Sequence, residues 1–253
     1  MNVWIYPLIF GALAIIGLTF GVPKGQIPDG QPSIDLVRHA HNLDANYGAL
    51  RFLRGEAYKA TWLDIGDNRD NDSFVRKHVV FIDGERYLRT KTHPSGLRSQ
   101  SDLITDGRAF RTAVEKGKAQ QDIFEIDGAK TAQLRISFET FGLFWVLRLL
   151  GDPTTQAEYV GKSSEGWDRF RVKSGSMNFT LTADTQHLIR KMEIQNQLYE
   201  FGDIREVDGV KMAFLQHVTI GQRPVYDLVF TSIQLNVPFE DNVFQLQRTE
   251  QLD

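Results

Sequence analysis

Tyr199-Glu200-Phe201-Gly202-Asp203-Ile204-Arg205-Glu206-Val207-Asp208-Gly209-Val210 is the stretch on which the fold turns. Tyr199 and Phe201 alternate with Glu200, the period-two pattern of a strand with one dry face and one wet face. Asp208-Gly209 then supplies the two positive-φ residues that a type I′ hairpin turn requires. A further strand, Phe214 to Ile220, follows the turn. Towards the N-terminus the alternation recurs. Met192 and Ile194 alternate with Lys191, Glu193 and Gln195; Phe179 and Leu181 with Thr180 and Thr182; Phe170 and Val172 with Arg169, Arg171 and Lys173. Asp83-Gly84 and Asp106-Gly107 punctuate earlier β-type residues, with Val79-Val80-Phe81-Ile82 entering the first turn and Tyr87-Leu88 leaving it. The spacing predicts about ten strands, mostly joined by short antiparallel links.

One helical segment precedes this pattern and another interrupts it. Ser33 can N-cap a helix from Ile34 to about Asn46, in which Leu36, Ala40, Leu43 and Tyr47 recur at helical spacing and would face a sheet. A second helix is expected over about Lys130 to Leu150, opened by Asp127 or Gly128 and closed by Gly151 and Pro153. Its second half, Phe138 to Leu150, is apolar nearly all round, with only Glu139 and Arg148 charged. Thirteen helical residues reach ~20 Å, too short to span a bilayer, so such a helix must be buried in the protein. Phe138, Phe141 and Trp145 fall on one stripe with Phe144 beside it, and Leu149 lies one turn beyond Trp145. The curve of an antiparallel sheet would enclose that stripe. Where packing is incomplete the gap is an apolar cavity, with Phe138, Phe141, Phe144, Trp145 and Leu149 as its candidate wall.

The chain has 253 residues, 42% hydrophobic and 24% charged, ordinary values for a globular protein. Residues 1–22 form an apolar leader, since no charged side chain occurs from Met1 to Pro23. It reads as a secretory signal cut after Gly21 or as an uncleaved N-terminal anchor holding the protein to a membrane. For an anchor, Lys24 and Arg38 lie downstream of the apolar run, and positive-inside counting would favour a cytoplasmic body. Export is the preferred reading, with the body in the periplasm or cell envelope, secreted or anchored by this segment. Residues 23–32, with Gly25, Pro28 and Gly30, read as a linker. Residues 33–253 remain as a single β-rich domain, large enough to bury a sizeable core.

Composition removes several function classes. The net charge is −3 and no long Lys/Arg run exists, which argues against a nucleic-acid surface. The absence of cysteine excludes disulfides, thiolate metal sites and a Cys nucleophile. Among the six histidines no His-Glu-x-x-His spacing occurs, and there is no Gly-x-Ser-x-Gly elbow or phosphate-cradling glycine loop. The four aspartates of Asp64 to Asp72 lack the ligand order of a calcium loop and read as a solvated turn. The sequence implies no catalytic residue, no metal and no cofactor.

The C-terminal third also carries a resemblance. Phe201 to Val210, the strand Phe214 to Ile220, then Val225-Tyr226-Asp227-Leu228-Val229-Phe230-Thr231-Ser232-Ile233 and Leu235-Asn236-Val237-Pro238, with Phe244 beyond, resemble the closing section of the LolA/LolB-like superfamily of lipoprotein-sorting proteins. The resemblance covers about Glu158 to Phe244. Lys211-Met212-Ala213 stands where many relatives carry a proline after the turn. It implies an α+β fold, mostly antiparallel β, in which an unclosed half-barrel wraps a few helices and holds acyl chains inside. The expected function is then non-enzymatic binding or carriage of a lipid, acyl chain or lipoprotein. The alternative is a structural or sensory domain of the same fold that contacts another envelope protein and holds no ligand.

Overall fold

Asp106 (φ 50°) and Gly107 (φ 73°) adopt the left-handed region, as do Asp208 (φ 49°) and Gly209 (φ 81°). Two of the three expected Asp-Gly turns therefore form, and each joins neighbouring strands in register: Thr105 faces Arg108, and Val207 faces Val210. The computed structural model describes residues 31–61, 74–83, 86–92, 98–115, 122–175 and 177–244. The leader, most of the linker, the aspartate-rich stretch 64–72, Gly84 and Ser176 lie outside the described residues.

The strands are β1 (Phe52–Thr61), β2 (Phe74–Asp83), β3 (Arg86–Thr92), β4 (Arg98–Thr105), β5 (Arg108–Glu115), β6 (Asp122–Ile126), β7 (Gln156–Lys162), β8 (Asp168–Ser174), β9 (Met177–Ala183), β10 (Ile189–Ile194), β11 (Gln197–Val207), β12 (Val210–Ile220) and β13 (Arg223–Leu235). Among the described residues all thirteen strands belong to one antiparallel sheet in the order β6-β5-β4-β3-β2-β1-β13-β12-β11-β10-β9-β8-β7. Two meanders, β1 to β6 and β7 to β13, are thus joined along β1 and β13, where Leu53 faces Leu235. The edges β6 and β7 stay unpaired with each other, so the sheet is an unclosed barrel. The count exceeds the expected ten because β3 to β6 place charged residues on both faces, and the alternation that reveals β8 to β11 is lost there.

Between the two edges the chain runs through α3 (Gly128–Glu139) and α4 (Phe144–Gly151). The single long helix expected here is in fact two. Gly142 takes φ 86°, which a side chain would resist, and a Cβ there would meet the Phe230 ring at 3.0 Å. Gln216, fully buried on β12, holds the break. Its Oε1 accepts from the Gly142 N–H at 2.7 Å, and its Nε2 donates to the Thr140 carbonyl and the Tyr226 hydroxyl, each at 3.1 Å. The termini are as expected: the Lys130 N–H donates to Asp127 Oδ1 at 3.0 Å, and α4 ends on Gly151.

The N-terminal helix is also shorter than expected. Ser33 caps α1 (Ile34–Ala40), but Asn42 turns left-handed (φ 59°) and starts a separate short turn, α2 (Leu43–Asn46). The break rotates the apolar stripe. Val37 and Leu43 are buried, whereas Leu36 and Tyr47, expected to face the sheet, are each 42% exposed. His41 locks this segment to the sheet. Its Nδ1–H donates to the Lys211 carbonyl at 2.7 Å, and its Nε2 accepts from the Ile189 N–H at 3.0 Å. Both ring nitrogens are used by neutral imidazole, and complete burial lowers the pKa to about 4 from the usual 6.5.

Buried residues from both meanders, α1 and α4 form one core cluster. Among the described residues no helix is long and apolar enough to cross a membrane.

Candidate functional site

On the β9 to β11 side of the helices the packing stays open. A groove of about 450 Å³ runs between Ile136 of α3, Thr140 at its C-terminal cap, Trp145, Val146 and Leu149 of α4, and the sheet. The sheet side is Phe179 on β9, Met192 and Ile194 on β10, and Tyr199 on β11, with Met177 at the rim. Strand alternation explains this wall: Met192 faces both Leu181 and Tyr199 across the register, so one apolar row crosses three strands. Among the described lining residues none carries an Asp, Glu, Lys, Arg or His side chain, and Asn178, Gln195 and Gln197 add neutral polar groups. The volume lies within the ~300–1,000 Å³ typical of small-molecule sites. Two methionines give the wall adaptable, polarizable surface. The Trp145 Nε1 is buried with no hydrogen-bond partner among the described residues, and the Tyr199 hydroxyl donates to Gln197.

The structure divides the five candidate wall residues. Trp145 and Leu149 are half-buried and line the groove. Phe138, Phe141 and Phe144 are no more than 4% exposed and pack into the core. Phe141 meets Phe230 edge-on at 5.5 Å, and Phe138 stacks beside Tyr87 at 5.3 Å. The turn at Gly142 is the cause: it breaks the continuous stripe, so Trp145 no longer continues the line of Phe138 and Phe141. Met192, Ile194 and Tyr199 were legible in the sequence as an apolar face. Nothing in one sequence says which part of that face the helices leave uncovered.

The other side of α3 is charged. Arg89, Asp102 and Arg111 sit directly opposite one another on β3, β4 and β5. Asp102 is fully buried. Its Oδ1 accepts from Arg111 Nε at 2.7 Å and Gln100 Nε2 at 3.1 Å, and its Oδ2 meets Lys91 Nζ at 2.7 Å and Arg89 Nη2 at 3.3 Å. Burial alone would raise the Asp102 pKa. The attraction of Lys91 and the hydrogen bonds from Lys91 and Arg111, with Arg89 behind them, hold it well below the usual carboxylate range instead. Arg89 donates onward to the Ser137 carbonyl and hydroxyl, and so ties β3 to α3. Its guanidinium lies 4.6 Å from the Phe138 ring centre. This cluster was missed in the sequence. Its members are separated along the chain and meet only through strand register.

Among the described residues, no His, Asp, Glu, Lys or Arg lines the groove, and no three His, Asp or Glu side chains converge as a metal site. His217 pairs with Asp227 across β12 and β13, away from the groove lining.

Among solved structures, a LolA superfamily protein from Nitrosomonas europaea matches this chain with a TM-score of 0.52 at 10% identity, over 85% of this chain and 99% of that one. The fold is LolA-like. A DUF1329 family protein from Desulfovibrio piger ATCC 29098 matches with a TM-score of 0.51 at 11% identity, over 83% of this chain and 95% of that one. No protein-family model and no curated protein matches the sequence. At these identities the likeness concerns the fold. The groove of this LolA-like chain therefore stands on its own geometry.

Proposed function

We propose that this chain is a non-enzymatic binding or carrier protein for a lipid or acylated ligand, held in the groove between α3, α4 and β9 to β11. The observation that carries the reading is the uncharged lining: mostly apolar side chains from two helices and three strands, with a few neutral polar ones, surround open space. Each buried CH₂ gains ~0.8 kcal/mol, so a 16-carbon chain gains ~12 kcal/mol gross before ordering costs. No catalytic group is required. The LolA-like fold and the apolar leader support a place outside the cytoplasm, with the domain at 33–253 released or anchored by residues 1–22.

Trp145 on the groove wall supplies the assay. Palmitate titrated into delipidated protein should shift the tryptophan emission saturably, and Trp145→Phe should remove that shift while binding persists by calorimetry. Absence of binding by fatty acids, phospholipids and a diacylated lipopeptide would defeat the proposal. A second reading, an envelope domain that contacts another protein, draws on the filled core around Phe138, Phe141 and Phe144. A chain that retains no lipid from cells and binds none in vitro would favour it.

A further inference from the structure

We propose that the pocket between α3 and the strands β3, β5 and β6 binds a phosphate group, either the free ion or the headgroup of an amphiphile. The pocket has a volume of about 610 Å³, with Arg89, Arg111 and Glu125 on the sheet side, Asp127 at the mouth, and Lys130, Gln133 and Ser137 on α3. It lies across α3 from the acyl groove, which takes Ile136 from the same helix and Thr140 from its C-terminal cap.

The charge balance there is uneven. Among the described side chains, Arg89, Lys91, Arg108, Arg111 and Lys130 stand against Asp102, Glu125 and Asp127. Five cations against three carboxylates leave a surplus of two positive charges. Arg108 pairs with Glu125 and Lys130 with Asp127 at the exposed rim. The surplus therefore belongs to the buried end, where three cations share Asp102. Both Asp102 oxygens are already occupied, as described above. Arg89 is only 6% exposed, and its Nε has no acceptor among the described residues. Burial lowers the Arg89 and Lys91 pKa values, and repulsion from Arg89 adds to the effect on Lys91, which is the cost of packing like charges together. A phosphate monoester carries about −1.5 to −2 at neutral pH, close to the surplus, and has several oxygens for guanidinium and ammonium donors. Glu125 and Asp127 also line the pocket, but each is paired at the rim, so the positive surplus at the buried end is what would concentrate such an ion.

The test titrates the full chain at low ionic strength with inorganic phosphate, with oleoyl lysophosphatidate, and with monooleoylglycerol, which shares the chain but lacks the phosphate. Saturable phosphate-dependent binding is expected. Arg111→Gln and Lys130→Glu should each weaken it roughly tenfold, the size expected for one charge-assisted hydrogen bond. The Lys130 side chain is 77% exposed, so its reversal leaves folding intact, which circular dichroism and melting temperature verify. Binding of inorganic phosphate identifies the free ion as ligand. Binding of lysophosphatidate alone, with its advantage over monooleoylglycerol lost in both variants, identifies the headgroup. Leu149→Ala should leave phosphate binding unchanged, so failure of the acyl reading and failure of this one are distinguishable. Folded variants that bind phosphate groups as well as the parent chain, or no phosphate-dependent binding in either form, overturn the proposal.

Discussion

On one flank of α3 the sheet presents Phe179, Met192 and Tyr199; on the other its inward positions hold Arg89, Asp102 and Arg111. Strand geometry is the same in both, and so is the antiparallel pairing. The difference lies in how each flank is satisfied. The apolar row needs only burial, so it tolerates a gap, and that gap is the groove. The charged row needs its partners opposite one another, so it depends on register: Asp102 must face both Arg89 and Arg111. One flank is permissive and the other exacting, and mutations separate them.

The largest effect is expected from Asp102→Ala. It strands the buried Arg89 beside the partly buried Lys91 and Arg111, and breaking a buried ion cluster in this way costs about 3–5 kcal/mol. Urea unfolding measures it, and a loss below about 1 kcal/mol would mean that the two flanks do not differ as described. Phe138→Ala comes next, at about 3–4 kcal/mol, because Phe138 is fully buried and packs against Tyr87 and Arg89.

Acid should then weaken both flanks together through His41, which belongs to neither. Between pH 6.5 and about 4 the unfolded chain binds a proton at His41 that the folded chain excludes. Stability is therefore full above pH 6.5 and falls as pH drops towards 4, by about 3 kcal/mol in all. Melting temperature against pH reads this, and His41→Gln should flatten the slope in that window. The smallest effect on stability is expected from Leu149→Ala. The residue lines open space, so about 1 kcal/mol should be lost, whereas acyl affinity should fall roughly tenfold. A stability cost as large as that of Phe138→Ala with unchanged lipid affinity would place Leu149 in the core and erase the distinction.

The apolar half was largely legible in the sequence because its strands keep a wet side: Arg169, Arg171 and Lys173 mark Phe170 and Val172 as inward by contrast. The charged half hid its strands because Arg89, Asp102 and Arg111 point into the protein, where the alternation rule expects apolar residues. The Asp-Gly turns at 106–107 and 208–209 were readable from local chemistry alone. The break at Gly142 was not, because Phe141 and Leu143 on either side continue the apolar run that made one helix the natural reading. What holds the break is Gln216, far along the chain and ordinary in its own strand. Of the candidate site, Trp145 and Leu149 were placed at the groove, but the strand side needed the three-dimensional register to be chosen from several equivalent apolar rows.

The seam between β1 and β13 sets the order in which this chain can mature. Every other strand pairs with a neighbour in sequence, so each meander can zip up from local hairpins within microseconds to milliseconds. The seam alone must close a loop spanning nearly the whole domain, and Leu53 waits for Leu235. A chain emerging from a ribosome or a translocation channel therefore carries two half-sheets with exposed seam strands until its last β-strand is released. Refolding should be biphasic, with fast local signals and a slower concerted step. Ligand capacity should appear only with the slow phase, because joining the halves fixes the cradle against which α3 and α4 settle.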